Sequence, residues 1–287
     1  MIKNRFIISV IILNIIYMYS AWSIVPTHKL KNSSLTIQGY SVSAVRTGFY
    51  INELKLMLDC GLPHNKIPNF IAITHGHTDH FYEIAHCIQD KYKILCPFEI
   101  KDELQKFINQ VYLLNGQPNK YHDIIGLQKK ENYELNENFG LQIFECFHSI
   151  PTIGYGIYQK VKKLKDEFKG LSKKEILQIK KSNIELTYDD KNRLLCYLCD
   201  TTIDVLRDPT IFTYSTIMIE CTFLGENTLE RAKERKHINW LQLEPFVKDY
   251  PDIDFILFHW SNMYSTQEIK KYFETYLMKY WNLKIWL

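Results

Sequence analysis

The stretch Ile73-Thr74-His75-Gly76-His77-Thr78-Asp79-His80 puts three histidines and an aspartate into six positions, directly after the apolar run Phe70-Ile71-Ala72-Ile73. Histidine is the commonest side-chain metal ligand, and carboxylate suits the same borderline metals. The apolar run reads as a short buried strand. His75 and His77 are two residues apart, so an extended chain points them the same way. Thr78 or Asp79 is positioned to cap a helix that continues through Tyr82, Ile84, Ala85 and Ile88. That helix start turns Asp79 and His80 toward a neighbouring point, so one short turn can serve two metal ions.

Further donors recur in one context. His148 closes the run Leu141 to Phe147, Asp200 closes Leu194 to Cys199, and His259 closes Phe255 to Phe258. Each run is apolar and reads as a strand. Open α/β sheets collect their sites at strand ends, so these three residues can converge on the first motif. The candidate ligands are then His75, His77, Asp79, His80, His148, Asp200 and His259. They suffice for two tetrahedral or five-coordinate ions with a shared aspartate and a shared water. His28, His64, His86 and His122 are read as ordinary loop or helix residues.

The chain has 287 residues, 46% hydrophobic and 23% charged, which is ordinary globular composition. Its net charge of +3 is too small to argue for nucleic acid by itself. Residues 1–23 read as a cleaved targeting peptide: Lys3 and Arg5 precede an apolar core, then Ser20-Ala21-Trp22-Ser23 offers a cleavage site. The core is too short for a span of about 20 residues, so no stable membrane association is expected once it is removed. Residues 24–287 form the remaining domain. Seven cysteines at irregular spacing make a poor disulfide framework. Cys196 and Cys199 form a lone C-x-x-C within an apolar run and read as core cysteines. The predicted elements mix β and α, with strands in two groups and no evident internal repeat. The three final helices fall near Thr228 to Glu234, Leu241 to Tyr250 and Thr266 to Tyr280, the last with a capping box at Ser265.

The series Thr74-His75-Gly76-His77-Thr78-Asp79-His80, His148, Cys199-Asp200-Thr201, Glu220-Cys221-Thr222-Phe223, His237 and His259-Trp260-Ser261 resembles the metallo-β-lactamase superfamily. Within it, the match is to short-form tRNase Z, the endonuclease that removes 3′ trailers from precursor tRNA. The similarity runs from about Ile37 to about Tyr276. It implies an α+β fold, a four-layer αββα sandwich with a dinuclear zinc site along one edge, and a homodimer. By motif, His75, His77 and His148 would hold one zinc. Asp79, His80 and His259 would hold the other, with Asp200 bridging. Asp79 would orient the attacking water and take its proton, and His237 would give a proton to the leaving oxygen while Glu220 orients its ring. The chain departs from the pattern at Phe81-Tyr82-Glu83, which replaces a glycine pair, and at Cys199, which replaces a glycine. It departs again at Asn239, where a second histidine is missing, and at Met263, which replaces an arginine.

Segment Gln159 to Tyr188 is lysine-rich, with Lys160, Lys162, Lys163, Lys165, Lys169, Lys173, Lys174, Lys180 and Lys181. Gly170-Leu171-Ser172-Lys173-Lys174-Glu175 resembles the protruding arm (159–188) with which the family grips the tRNA body, contacts that give affinity without sequence reading. Alternative readings are a small phosphodiesterase, a glyoxalase-type thioesterase, or a non-catalytic tRNA-binding subunit. The leader suggests an organelle reached by a secretory-type route, plastid-like, with a mitochondrion as the alternative.

Overall fold

The structure, a computed structural model, describes residues 25–63, 66–84, 92–119, 122–182 and 184–287. The leader, His64, His86 and Cys87 lie outside the described residues, as does the predicted helix beyond Ile84.

The run Thr216-Ile217-Met218-Ile219-Glu220 explains the layering. It is fully buried, and its side chains alternate between two cores: Met218 in one, Ile217 and Ile219 in the other. Phe255-Ile256-Leu257-Phe258 alternates the same way, with Ile256 and Phe258 in the first core and Phe255 and Leu257 in the second. A strand apolar on both sides needs a partner layer on each face.

Two seven-stranded sheets provide the inner layers. The first is β1 (Thr27–Lys29), β2 (Thr36–Val42), β3 (Arg46–Ile51), β4 (Leu56–Leu58), β5 (Phe70–Ala72), β6 (Lys93–Pro97) and β7 (Asp123–Leu127). The second is β8 (Asn132–Glu134), β9 (Phe139–Cys146), β10 (Thr152–Leu164), β11 (Thr187–Leu198), β12 (Thr216–Glu220), β13 (Asp254–Phe258) and β14 (Leu283–Ile285). Ile37, Phe49 and Leu58 of the first sheet meet Tyr155, Tyr197 and Phe258 of the second between them. Phe49 packs edge-on against Phe258 and Trp286, each at 5.3 Å between centroids.

Helices form the outer layers. α1 (Thr78–Phe81) and α2 (Lys101–Leu114) accompany the first sheet, where Leu104 and Ile108 reach Met57, Ile71 and Ile94. α3 (Lys173–Lys181) buries nothing. α4 (Leu229–Arg235), α5 (Trp240–Asp249) and α6 (Thr266–Lys279) accompany the second sheet, where Trp240, Leu243 and Phe273 pack on it. This is the expected α+β, four-layer arrangement.

Both sheets keep sequence order, and each has three antiparallel links followed by three parallel ones. The halves therefore repeat in topology, although the sequence shows no repeat. β10 and β11 outrun their neighbours: pairing continues from Lys160↔Lys191 to Leu164↔Thr187, whereas β9 leaves β10 at Gln159 and β12 joins β11 only from Leu195. A two-stranded ribbon results, joined by a loop that carries α3.

Gly61 fixes the metal-like motif to the first sheet. Cys60 N–H donates to the His80 carbonyl at 2.6 Å, and Glu83 N–H donates to the Cys60 carbonyl at 2.9 Å. A Cβ on Gly61 would overlap the Asp79 carbonyl. Gly61→Ala must push α1 away, and overpacking of this kind costs about 1–3 kcal/mol. Urea unfolding should show that loss, and an unchanged midpoint would mean that α1 is not clamped there.

Candidate metal centre

β5 leads straight into the first histidines. Asp59, which follows β4 in the left-handed region at φ 57°, is buried and organises them. Its Oδ1 accepts from Thr74 N–H at 2.8 Å and the Thr74 hydroxyl at 2.9 Å. Its Oδ2 accepts from His80 Nδ1 at 3.0 Å and the Tyr197 hydroxyl at 2.9 Å. His77 occupies the cap position of α1, and no side chain caps the helix. The expected Thr78 or Asp79 cap is absent because Asp79 is engaged elsewhere: its Oδ2 accepts from Ala44 N–H at 3.0 Å.

The second sheet contributes from strand ends. His148 follows β9, Asp200 follows β11, Glu220 ends β12 and His259 follows β13. His148 Nδ1 donates to the Lys236 carbonyl at 3.0 Å, and Lys236 Nζ donates to the His148 carbonyl at 3.2 Å. His259 Nδ1 lies 3.1 Å from the Thr222 hydroxyl. In His80, His148 and His259, Nδ1 is thus occupied and Nε2 remains for a ligand, the usual orienting device of a metal-binding histidine.

All seven expected donors come together. The donor atoms of His75, His77, His148 and Asp200 lie within 4.8 Å of one another, and so do those of His80, Cys199, Asp200 and His259. Asp200 belongs to both groups. Its Oδ2 is 3.5 Å from His75 Nε2 and 3.6 Å from His148 Nε2, while its Oδ1 is 3.4 Å from His80 Nε2 and 3.1 Å from His259 Nε2. Asp79 Oδ2 stands 3.4 Å from His80 Nε2 and 3.8 Å from His259 Nε2. Burial opposes charge on Asp200, but the imidazoles of His259, His80 and His75 outweigh it and hold the carboxyl well below its usual range. Burial is likewise outweighed at Asp79, where the adjoining imidazoles of His259 and His80 hold the carboxyl below its usual range.

The donor set suits a divalent metal on an independent ground. His80 Nε2 and His259 Nε2 are buried and make no hydrogen bond. Buried polar atoms are normally satisfied, and an electrophile between these nitrogens and Asp200 would satisfy both.

Beside these donor groups, Glu220 is fully buried and accepts five hydrogen bonds. They come from Thr201 N–H, Thr222 N–H, the Thr222 hydroxyl, Ile238 N–H and His237 Nδ1, the last at 2.8 Å. Burial disfavours a charged His237, yet the charge and hydrogen bond of Glu220 raise its pKa to about 9. The same pairing overcomes burial at Glu220 and lowers its pKa. A cleft of about 560 Å³ opens onto His77, Asp79, His148, Asp200, His237 and Arg235.

The arm lysines are far less uniform than the sequence suggests. Lys160 pairs with Glu134, Lys162 with Asp189, Lys163 with Asp190 and Lys169 with Asp166. Lys165 lies at the foot of the loop, and Lys173 and Lys174 begin α3, with Lys180 and Lys181 ending it. Among the departures from the family pattern, Asn239 is buried and caps α5, accepting from Leu241 N–H at 2.9 Å. Met263 is exposed, and Phe81 packs on Phe107. Asp59 and Lys236 were not singled out from sequence, and Thr222 only as part of the Glu220 to Phe223 motif. Asp59 stands in the turn-like sequence Asp59-Cys60-Gly61, and only its place directly after an apolar run, as with Asp200, hints at a site role.

No family model matches the chain. It is 30% identical over 251 residues to the chloroplastic tRNase Z TRZ2 of Arabidopsis thaliana, covering 83% of this chain and 71% of that protein. It is 27% identical over 258 residues to tRNase Z TRZ1 of the same plant, covering 84% and 92%. Among solved structures, human tRNase Z, short form, is similar with a TM-score of 0.53 at 18% identity, over 86% of this chain and 93% of that one. The metallo-β-lactamase fold protein YhfI from Bacillus subtilis gives 0.53 at 12% identity, over 85% and 93%. At such identities the two structures speak for the fold alone.

Asp59→Ala would strand four donors in the interior, Tyr197 and His80 among them. Each buried unsatisfied group costs about 1–3 kcal/mol. Denaturant unfolding should therefore show a loss of several kcal/mol, and a loss under about 1 kcal/mol would remove Asp59 from the supporting network.

Proposed function

The chain belongs to the tRNase Z family of tRNA 3′-processing endoribonucleases, and we propose that it removes the 3′ trailer of precursor tRNA by two-metal hydrolysis at the seam between its sheets, leaving a 3′-hydroxyl on the tRNA. The observation that carries this reading is the Glu220–His237 pair standing against the two donor groups, 2.8 Å across its own hydrogen bond. In this proposal His75, His77 and His148 hold one zinc, and Asp79, His80 and His259 hold the other, with Asp200 between them. Two such ions, when bound, supply Lewis-acid activation of water and positive charge against the phosphodiester.

The residues themselves divide the remaining work. Asp79 is kept ionised, orients the attacking water and accepts its proton. His237 carries two protons at neutral pH because Glu220 raises its pKa to about 9. Its Nδ1–H is committed to Glu220, so Nε2–H is the proton offered to the leaving 3′ oxygen. Glu220, held by four further donors, fixes the ring as a carboxylate does in other histidine catalysts.

The RNA handle is the segment 159–188. Its ribbon lysines Lys160, Lys162 and Lys163 and the loop residue Lys169 are offset by carboxylates, so phosphate contact falls more on Lys165 and on Lys173 and Lys174 of α3. Two experiments in parallel test the assignment. Replacing 165–186 by a tight turn should raise KM for precursor tRNA and flatten its salt dependence, while hydrolysis of a small chromogenic phosphodiester stays nearly unchanged. His237→Ala should instead lower kcat on RNA by about 10²–10⁴ with binding intact. Wild-type kcat should fall as pH rises through about 9, where His237 loses its proton, and Glu220→Gln should move that limb to lower pH. No cleavage of a 3′-extended tRNA by the wild type would end the reading, and equal losses on both substrates after arm removal would make the segment structural.

The domain limits, 1–23 for a leader and 24–287 for the catalytic unit, belong to the same proposal, as does a homodimer. Among the described residues no helix is long and apolar enough to cross a membrane. A chloroplastic relative supports an organellar destination, reached by the basic-apolar leader. Residues 1–45 fused to a fluorescent reporter should direct it to an organelle, and diffuse cytosolic signal would refute that.

A further inference from the structure

Cys199 replaces a glycine of the family pattern, and from its place in the core it meets two polar groups of the site. It is fully buried at the end of β11. Its Sγ donates to Asp200 Oδ1 at 3.2 Å and lies 3.8 Å from His80 Nδ1. That nitrogen already donates to Asp59 Oδ2. The sulfur therefore stands where the Asp59–His80 pair and the shared carboxylate meet. A glycine could make neither contact.

The contact is one-sided. The two oxygens of Asp200 serve different donor groups: Oδ2 faces His75 and His148, and Oδ1 faces His80 and His259. The thiol touches only Oδ1. Asp200 is also held in the left-handed region at φ 37°, a conformation that a non-glycine residue keeps only when its surroundings impose it. A donor on one oxygen limits rotation of the carboxylate and fixes which lone pair remains for a ligand.

From this we infer that Cys199 is a positioning residue for the second metal ion, the one held by Asp79, His80 and His259, and has little effect on the first. The inference rests on the two-metal reading above. Orienting partners of this kind are worth about 10–100-fold in metal affinity. A thiol is a weak donor, so the lower end applies.

The test is zinc titration of the full chain against a chromogenic chelator, with cobalt spectra as a second readout. Wild type should show two binding steps. Cys199→Ala should weaken one step about tenfold and leave the other unchanged. Cys199→Ser restores an O–H donor and should recover most of the loss, although a buried hydroxyl suits an apolar core worse than a methyl group. The metal-free forms should unfold at similar temperatures. If the alanine variant matches wild type in both steps, or the serine variant binds worse than the alanine variant, the sulfur only fills space and the inference fails. A thiolate-to-cobalt charge-transfer band in wild type, lost in Cys199→Ala, would overturn it in favour of direct ligation. A wild type that takes up no zinc would sink the two-metal reading itself, and this inference with it.

Discussion

The fold turns on Asp200, an ionised carboxylate buried where the two sheets meet. A buried charge without partners costs several kcal/mol. Here it lies 3.1 to 3.6 Å from ring nitrogens of His75, His80, His148 and His259. Two of those rings come from the first sheet's motif and two from strand ends of the second. The carboxylate can be accommodated only if the halves are brought together in register. Gly61, Asp59 and the Phe49–Phe258 contact serve that one requirement.

The repeated topology shows how such a site arises. In each half the fourth strand is where antiparallel pairing gives way to parallel. Just beyond it each half carries a buried aspartate with positive φ: Asp59 after β4 and Asp200 after β11. The left-handed turn aims each carboxylate back across the strand end. The first half uses its aspartate to orient His80, and the second exposes its own to both donor groups. The same backbone device thus gives a supporting residue in one half and a carboxylate common to both donor groups in the other.

Much of this was legible in the sequence because the strand segments that lead to Asp200 and His259 are buried on both faces. Their apolar runs are unbroken, so the polar residue at the end stands out, whereas the run before His148 is broken by Gln142 and the exposed Glu145. β13 and the last helix were read to within one residue. The edge strands β1, β8 and β14 and the outermost strand β7 were missed, since short edge strands with one wet face have no such contrast. Asp59 was hidden by the turn-like Asp-Cys-Gly, and Cys199 by its apolar neighbours. The arm's lysines were counted as charge, but pairing across the ribbon depends on a register that only the fold supplies.

Everything attributed to the seam depends on metal ions being there when the chain works. Elemental analysis of purified, catalytically active protein tests this most directly. About two zinc ions per chain, given three protein donors each and a shared Asp200, is the expected result. Active protein free of any bound transition metal would contradict the account at its centre.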